Sequence, residues 1–585
     1  MRRLRRSTPP RLLALLAAAA LVVAGCTGVP RSSHPQAIQA VGVDQPAGEQ
    51  VAPPEPGADQ RTIVSNFLAA NAATDLHHNG ARAYLTPEAK GSWSDATVTV
   101  VDNLRVSLPA KGKVAVTGVV VGTVSLYGVY TPALRGDGSG NGGQPLSTSF
   151  TLKQVKGQWR IDSLQNGLIV TSSQFDTYQQ RSLYFFDLGG LHLVPDPRYT
   201  NITDTQSLEQ WLMSQLARGP RDTLQSAEAT ELPAQTDPSR VVVTQSPAGS
   251  SVTSIEVPGS SQLSAGNRNR LAAQIAETLS TAVNTVDQLQ ITDSGTPVVI
   301  PAAAGPVFTA EVVTAPYVPS LQSVGLYYVE NGGVRDESGT PLTGPVGHGG
   351  YGLDSAAMAD RGGTAGDLVA GTRANNTQLD VGTTSGLVST DVHGTLSRPD
   401  WAPGLSEVWI GDGSSLLRVV KVGKTWKSST VAVTTANGKA TGQISAVRLS
   451  PEGSRVALVL TTGGSTQVWV GAVVRNAGLV QVDSLAPITP QGITITDVAW
   501  NDELKLFAIG HEATDDPGIY EVQVDGSLWT AHGIGNLPPV PDSITVAEQQ
   551  VAAVSADGTV WKQQTGAWVS PQSEETHGSN PFYSP

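Results

Sequence analysis

A short pattern recurs along the carboxy-terminal half of the chain, and its spacing limits the fold more than any other feature. Ala356-Ala357-Met358-Ala359-Asp360, Asp400-Trp401-Ala402-Pro403, Val447-Arg448-Leu449-Ser450-Pro451, Asp497-Val498-Ala499-Trp500-Asn501 and Ile544-Thr545-Val546-Ala547 each precede two apolar runs split by Gly, Asp or Asn turns. Met358, Trp401, Leu449, Trp500 and Val546 align at intervals of 43, 48, 51 and 46 residues. A four-stranded unit of that length cannot bury both faces alone, whereas a ring of such units does so and leaves few open edges. The spacing predicts a β-propeller over 320–575 with five to six blades, six being favoured, and assigns Leu326 to Val329 to the blade that closes the ring. Eight of the eleven Trp (401, 409, 426, 469, 500, 529, 561 and 568) fall here. At one or two per repeat they read as blade packing rather than as an aromatic ligand box.

The amino end fixes location. Arg2, Arg3, Arg5, Arg6 and Arg11 precede Leu12 to Ala24, an uncharged apolar run that closes on Val23-Ala24-Gly25-Cys26. Thirteen apolar residues at about 1.5 Å each fall short of the roughly 30 Å membrane core, so 1–25 reads as a signal peptide rather than a span. Cys26 is the only cysteine. Val23-Ala24-Gly25-Cys26 resembles the lipobox of bacterial lipoproteins, which implies S-diacylglycerol and N-acyl chains on Cys26. Two or three such chains anchor stably where one alone is marginal. With no second cysteine there are no internal disulfides, and stability must come from packed cores. Residues 26–58 then read as the lipid anchor and a tether. Pro30, Pro35, Pro46, Pro53, Pro54 and Pro56 lie among Ser, Gly, Gln and Ala, and at about 3.1 Å per residue the tether could reach roughly 100 Å.

Two further domains precede the repeats, giving a multidomain, β-rich chain. In 59–175, Ile63, Val64, Phe67, Leu68 and Leu76 fall at helical spacing. A short helical stretch follows around Ala81 to Ala89, and after Trp93 the pattern alternates as strands do. Helices followed by antiparallel strands suggest an α+β sheet closed over helices, similar to the cone-shaped NTF2-like fold, which can hold a pocket. In 180–300, Leu183 to Phe186 and Leu191 to Val194 flank a Gly189-Gly190 turn. A helix capped by Asp204 or Thr205, short strands, a helix through Leu271, Ile275, Leu279 and Val283, and a last strand follow. This α/β order resembles the GerMN domain, a family with no established catalytic set.

Charge and motifs weigh against several chemistries. The formal charge is −13, and loss of 1–25 removes five Arg and no acid, taking it to −18. A chain this acidic is no nucleic-acid binder. Gly138, Gly140 and Gly143 match G-x-G-x-x-G but open no helix, and Arg135-Gly136-Asp137 in the same loop carries no weight. Gly423-Lys424-Thr425 lacks the upstream glycine of a P-loop, since Arg418 stands five residues before Gly423. His77-His78 reads as a helix-end cap rather than a ligand pair. A metal cysteine cluster is excluded by count, and no H-E-x-x-H or G-x-S-x-G occurs. Neither cofactor, metal nor catalytic set is expected. Asp360, Asp400, Asp497, Glu503 and Asp515 are the acids that could pair for glycoside chemistry, though most lie where blade turns need Asp or Asn.

The lipobox, Pro-rich tether, NTF2-like module, GerMN-like unit and carboxy-terminal propeller, in that order over nearly the whole chain, resemble the LpqB lipoproteins of actinobacteria. The resemblance implies a lipid-anchored protein on the extracytoplasmic face of the cell membrane. It implies a partner, the extracytoplasmic sensor domain of a histidine kinase of the MtrB type, and an accessory role in the MtrA/MtrB two-component system linked to cell-wall metabolism and division. The alternative from another class is an envelope glycan-binding protein or hydrolase that works through the propeller's central mouth. A solute-binding lipoprotein fits less well, because the repeats lack a two-lobed α/β pattern.

Overall fold

Six blades stand around one axis, two of them joined into one nine-stranded sheet. In the computed structural model the described residues are 53–73, 78–133, 143–245, 251–283, 286–318, 325–359, 367–476, 478–490, 492–512, 517–532, 541–547, 550–555, 558–564, 567–569 and 577–584. Cys26, His77, Asp360, Asp515 and the 135–137 loop lie outside them.

Blades 2 to 6 begin at Leu353, Asp400, Gln443, Ile493 and Pro541, and each has four antiparallel strands with the first innermost. Blade 1 has three strands, Ser579–Tyr583, Leu326–Glu330 and Gly333–Asp336, and the last strand of the chain is its innermost. Among the described residues the propeller thus has six blades, and it runs past the expected end at 575. The reason is closure: Leu326 and Tyr327 need Tyr583 and Phe582 as partners, or the first blade presents a raw edge to the axis.

The aligned repeat residue explains why the blades stay in register. Trp401 Nε1 donates to the Ala357 carbonyl of the preceding blade at 3.1 Å, and Trp500 Nε1 donates to that of Arg448 at 3.0 Å. Each indole fills the wedge between two blades and its one polar atom is satisfied there, as a buried Trp requires. Trp409, Trp426, Trp469 and Trp568 are also buried, and Trp529 and Trp561 pack partly buried against the same cores. Blades 3 and 4 are stitched further: strand Thr425–Thr435 overruns its blade, and Ala432 and Val433 pair in parallel with Gln481 and Val482.

The amino-terminal α+β domain is built on helix Gln60–Ala70, whose Ile63, Val64, Phe67 and Leu68 are buried. Strands Val98–Ala110, Lys113–Val124, Gln144–Val155 and Gln158–Ser163 wrap over it. The expected single helix after it is two short ones, Asn79–Arg82 and Pro87–Ser92, because Pro87 cannot continue the first and instead begins the second. Strand Leu168–Thr171 pairs in parallel with Val98–Val101, so the sheet is not purely antiparallel. Phe67, Trp93 and Phe150 fill its interior edge to face, at centroid distances of 5.4 and 5.9 Å. The cavity left beside Asn71 is about 40 Å³, room for a water but not for an organic ligand.

The middle α/β domain has two sheets. Gln179–Asp187 lies between Leu193–Thr200 and Glu228–Ala229, and Val242–Gln245, Val252–Glu256 and Gln288–Asp293 form the second. Asp204 is the N-cap of helix Thr205–Leu216, accepting from Ser207 N at 2.8 Å. The core runs past the expected end at 300, because Val307-Phe308 pairs with Gln290-Leu289 and helix Ala310–Thr314 buries Val313. Those elements are too short to carry a periodic signal.

Candidate binding site at the propeller mouth

Strand Leu193–Thr200 joins the three domains. All eight residues are buried, although the strand is the edge of its sheet. The sequence Leu193-Val194-Pro195-Asp196-Pro197-Arg198-Tyr199 explains how an edge can be buried. The two prolines remove N–H donors that would face the neighbouring domains, and proline belongs on edges. The donors that remain are used: Leu193 N reaches Tyr317 O at 3.0 Å and Tyr199 N reaches Gly128 O at 2.8 Å, the latter in the amino-terminal domain. The outward carbonyls are met by arginines. Arg455 of blade 4 donates to Pro195 O, and Arg221 donates to Pro197 O. Gly128 has φ +75°, and a Cβ there would come within 2.9 Å of Tyr199 O and 3.0 Å of the Trp211 ring. Close approach and backbone sign both demand glycine.

Charge fills the rest of the junction. Asp196 pairs with Arg198 and with Arg221 Nε (2.6 Å), and Arg455 Nη1 meets Glu452 at 3.0 Å. Glu228 lies 3.6 Å from Arg455, and Asp525 lies 4.0 Å from Arg221. Four buried carboxylates therefore face three buried guanidiniums. Burial pushes up the Asp196 carboxyl, but Arg198 and Arg221 outweigh it and hold the group below the usual range. Burial wins at Glu228, which is pushed well above the usual range against the pull of Arg455, and at Glu452 and Asp525. Neither Glu228 oxygen has a hydrogen-bond partner.

Beside this junction the propeller opens in a cavity of about 560 Å³ at its axis, within the size range of ligand sites. Its walls are the ends of the inner strands, with Met358, Trp401, Leu449, Trp500 and Phe582 among them, and His192 of the middle domain stands at its mouth. Arg398 crosses the axis at one end, donating to Asp497 of blade 5, to Ile544 O of blade 6 (3.3 Å) and to Pro581 O of blade 1 (3.3 Å). Asp497 also accepts from Arg448 (3.2 Å) and from Ile544 N (2.9 Å). Asp400 accepts from Leu449 N at 2.7 Å. Burial, and then the like charge of Arg448, push Arg398 down to about 10, so it is still a cation at neutral pH. Burial raises Asp400. At the mouth, Asp187 lies 3.7 Å from His192 Nδ1 and raises its pKa against burial.

Of the acids singled out by sequence, Asp400 and Asp497 come to the axis as blade-to-blade links, and half-buried Glu503 sits at a blade-5 turn. His78 pairs with Asp95 at 2.8 Å, with Arg82 on the same carboxylate at 3.0 Å. It is the N-cap residue of helix Asn79–Arg82, the helix end expected, but its ring is partly buried against that carboxylate rather than solvated. Lys424 stands in the turn between Ser415–Val422 and Thr425–Thr435, with no helix behind it to form a phosphate loop. The sequence reading missed the junction altogether. Its one visible signal was prolines alternating with charged residues inside a strand.

Residues 53–176 match the family model described as "Lipoprotein LpqB, N-terminal domain", and residues 330–584 match "Lipoprotein LpqB beta-propeller domain". The chain is 29% identical over 560 residues to a Lipoprotein LpqB of Rhodococcus jostii (strain RHA1), covering 90% of this chain and 88% of that one. It is 30% identical over 481 residues to a Lipoprotein LpqB of Mycobacterium tuberculosis (strain CDC 1551 / Oshkosh), covering 78% and 79%. Identity of that degree along most of both chains, with the same two domains at the two ends, makes this chain a member of the LpqB lipoprotein family.

Proposed function

We propose that this lipoprotein is a non-enzymatic binding protein that engages the extracytoplasmic sensor domain of an MtrB-like histidine kinase. Through that contact it modulates two-component signalling linked to cell-wall metabolism and division. Acyl chains on Cys26 hold it to the outer face of the cytoplasmic membrane, beside such receptors. The observation that carries the reading is the state of the charged groups. At the junction and at the propeller axis, Asp196, Glu452 and Asp497 are paired with arginines, and Arg455 and Arg398 tie neighbouring domains and blades together. That arrangement favours a rigid recognition surface. The rival, a glycan hydrolase using the axial acids, is disfavoured by the same geometry: Asp497 is held by two guanidiniums and a backbone N–H. A carboxylate so engaged is a poor base or nucleophile.

The test is capture from crosslinked membranes together with kinase phosphorylation in a deletion strain. Recovery of the kinase and altered phosphorylation are expected. No association and unchanged phosphorylation overturn the proposal.

A further inference from the structure

We infer that the end of the amino-terminal domain where the tether leaves is a docking surface for anionic phospholipid headgroups, so that this domain stands on the bilayer and holds the other two away from it. The inference rests on the reading of Cys26 as a lipid anchor but not on the identity of any protein partner.

Three observations select this occupant. The first is where the chain enters the domain. Gly57 N donates to Gln158 Oε1 at 2.7 Å, beside the Lys156-Gly157 turn, and Gly112 N, in the Lys111-Gly112 turn, donates to Gln60 Oε1 at 2.6 Å. Leu152 N donates to Gly112 O at 2.8 Å and sets the two hairpins side by side. Both turns therefore flank the exit of the tether, and only 26 residues separate Cys26 from Pro53. Headgroups reached by so short a flexible link are present at an effective concentration on the order of millimolar. The second observation is charge. Arg61, Lys111, Lys113, Lys153, Lys156 and Arg160 lie in the segments that meet here, against Glu55, Asp59 and the two acids on Lys153, Asp162 at 2.8 Å and Glu88 at 3.6 Å. Lys111, Lys113 and Lys156 are exposed and form no ion pair among the described residues. This end is thus net positive on a chain of formal charge −13. The third observation is distance. Strand Lys113–Val124 spans roughly 35 Å, and the contacts with the rest of the protein lie past its far end. There Tyr199 N donates to Gly128 O, and a Cβ on Gly526 of blade 5 would come within 3.2 Å of Pro132. Screening acts over about 8 Å at physiological salt, so a surface at this end meets the lysines and not the acidic remainder. A second copy meeting it across a twofold axis would bring the same lysines, like charge against like.

The test uses the full lipoprotein in vesicles of phosphatidylcholine with or without phosphatidylglycerol. Cys26 is the only cysteine and acylation blocks it, so Gln154→Cys, exposed two residues before Lys156, carries a single fluorophore. Quenching by headgroup-labelled lipid reads its approach to the bilayer. The label should be quenched in the anionic vesicles, whereas one at Val388→Cys, on the outer strand of blade 2, should not. Combining Lys111→Glu, Lys113→Glu and Lys156→Glu should lower the ratio of docked to free domain by about tenfold or more, and so should salt near 1 M. Lys421→Glu, on the third strand of blade 3, should change nothing. Equal quenching with and without phosphatidylglycerol, or indifference to the triple variant, overturns the inference. So does lysine-dependent binding of a soluble anionic polymer or acidic peptide with no quenching by the vesicles. A Cys26→Ser protein held on nickel-chelating lipid by a histidine tag in place of residues 1–25 separates the two readings. Docking of that form when the lipoprotein itself does not join vesicles removes the anchor reading alone. A lipoprotein that joins them with its Gln154→Cys label unquenched removes the docking surface alone.

Discussion

Arg455 of blade 4 donates to the carbonyl oxygen of Pro195, 260 residues earlier in the chain. The acceptor is free because Pro195 stands on the outer edge of its sheet, and the donor is buried because Glu452 and Glu228 flank it. One guanidinium thus closes an exposed strand edge and partners two acids at once.

Removing that guanidinium should be costly. Arg455→Ala leaves Glu452 buried without its cation and Pro195 O without its donor, for which about 3–5 kcal/mol is typical. The expected result is a loss of that order in denaturant unfolding, with a separate early transition as the propeller parts from the middle domain. A single transition at the wild-type midpoint would refute the account.

Glu228 should make the junction lose stability as the pH rises. Its folded pKa is raised, so its contribution is full below the unfolded value near 4.5 and is lost as pH rises through the folded value. Asp196 has the opposite sign: its contribution is present above about 3.8 and is lost as pH falls towards its lowered folded value. Glu228→Gln should reduce the loss of stability on raising the pH and leave the loss on lowering it, which belongs to Asp196, unchanged. Thermal melts between pH 4 and pH 10 check this.

Gly128→Ala places a methyl against Tyr199 O and Trp211 at a positive φ. A loss of about 1–3 kcal/mol is expected, read as a lower melting temperature. Gly157→Ala, with φ +77° but open space around it, separates the backbone cost from the contact.

Cys26→Ser should release the protein from the membrane fraction and leave its far-ultraviolet circular dichroism unchanged. Persistent membrane association in a fractionation experiment would show that Cys26 is not the anchor.

The propeller was legible because its repeat is dictated by burial: the inner two strands of each blade are almost wholly apolar, as in Arg455–Thr462. The outer strands escaped notice, since half-exposed stretches such as Thr425–Thr435 carry no continuous apolar run. The closing strand was hidden for a different reason. Ser579–Tyr583 contains Pro581 and is too short for a period, and only its partner across the ring makes it a strand. At the axis, Asp400 and Asp497 were visible as acids, but nothing local shows that Leu449 N reaches the first and Arg398 and Arg448 the second. The junction was the least legible part, because Glu228 lies in the middle domain and Arg455 and Asp525 in two different blades of the propeller, and only the tertiary fold brings them together.

Ring closure by Ser579–Tyr583 also sets an order of events. A chain delivered across a membrane amino end first exposes Leu326–Glu330 while its inner partner is still unmade or untranslocated. Blades 2 to 6 can form from neighbours in sequence, but the circle stays open, with a bare strand edge, until the final residues arrive. Closure of the propeller therefore waits on Ser579–Tyr583, and a chain cut short before Ser579 should be left as an unclosed ring that proteases attack at the bare edge of Leu326–Glu330.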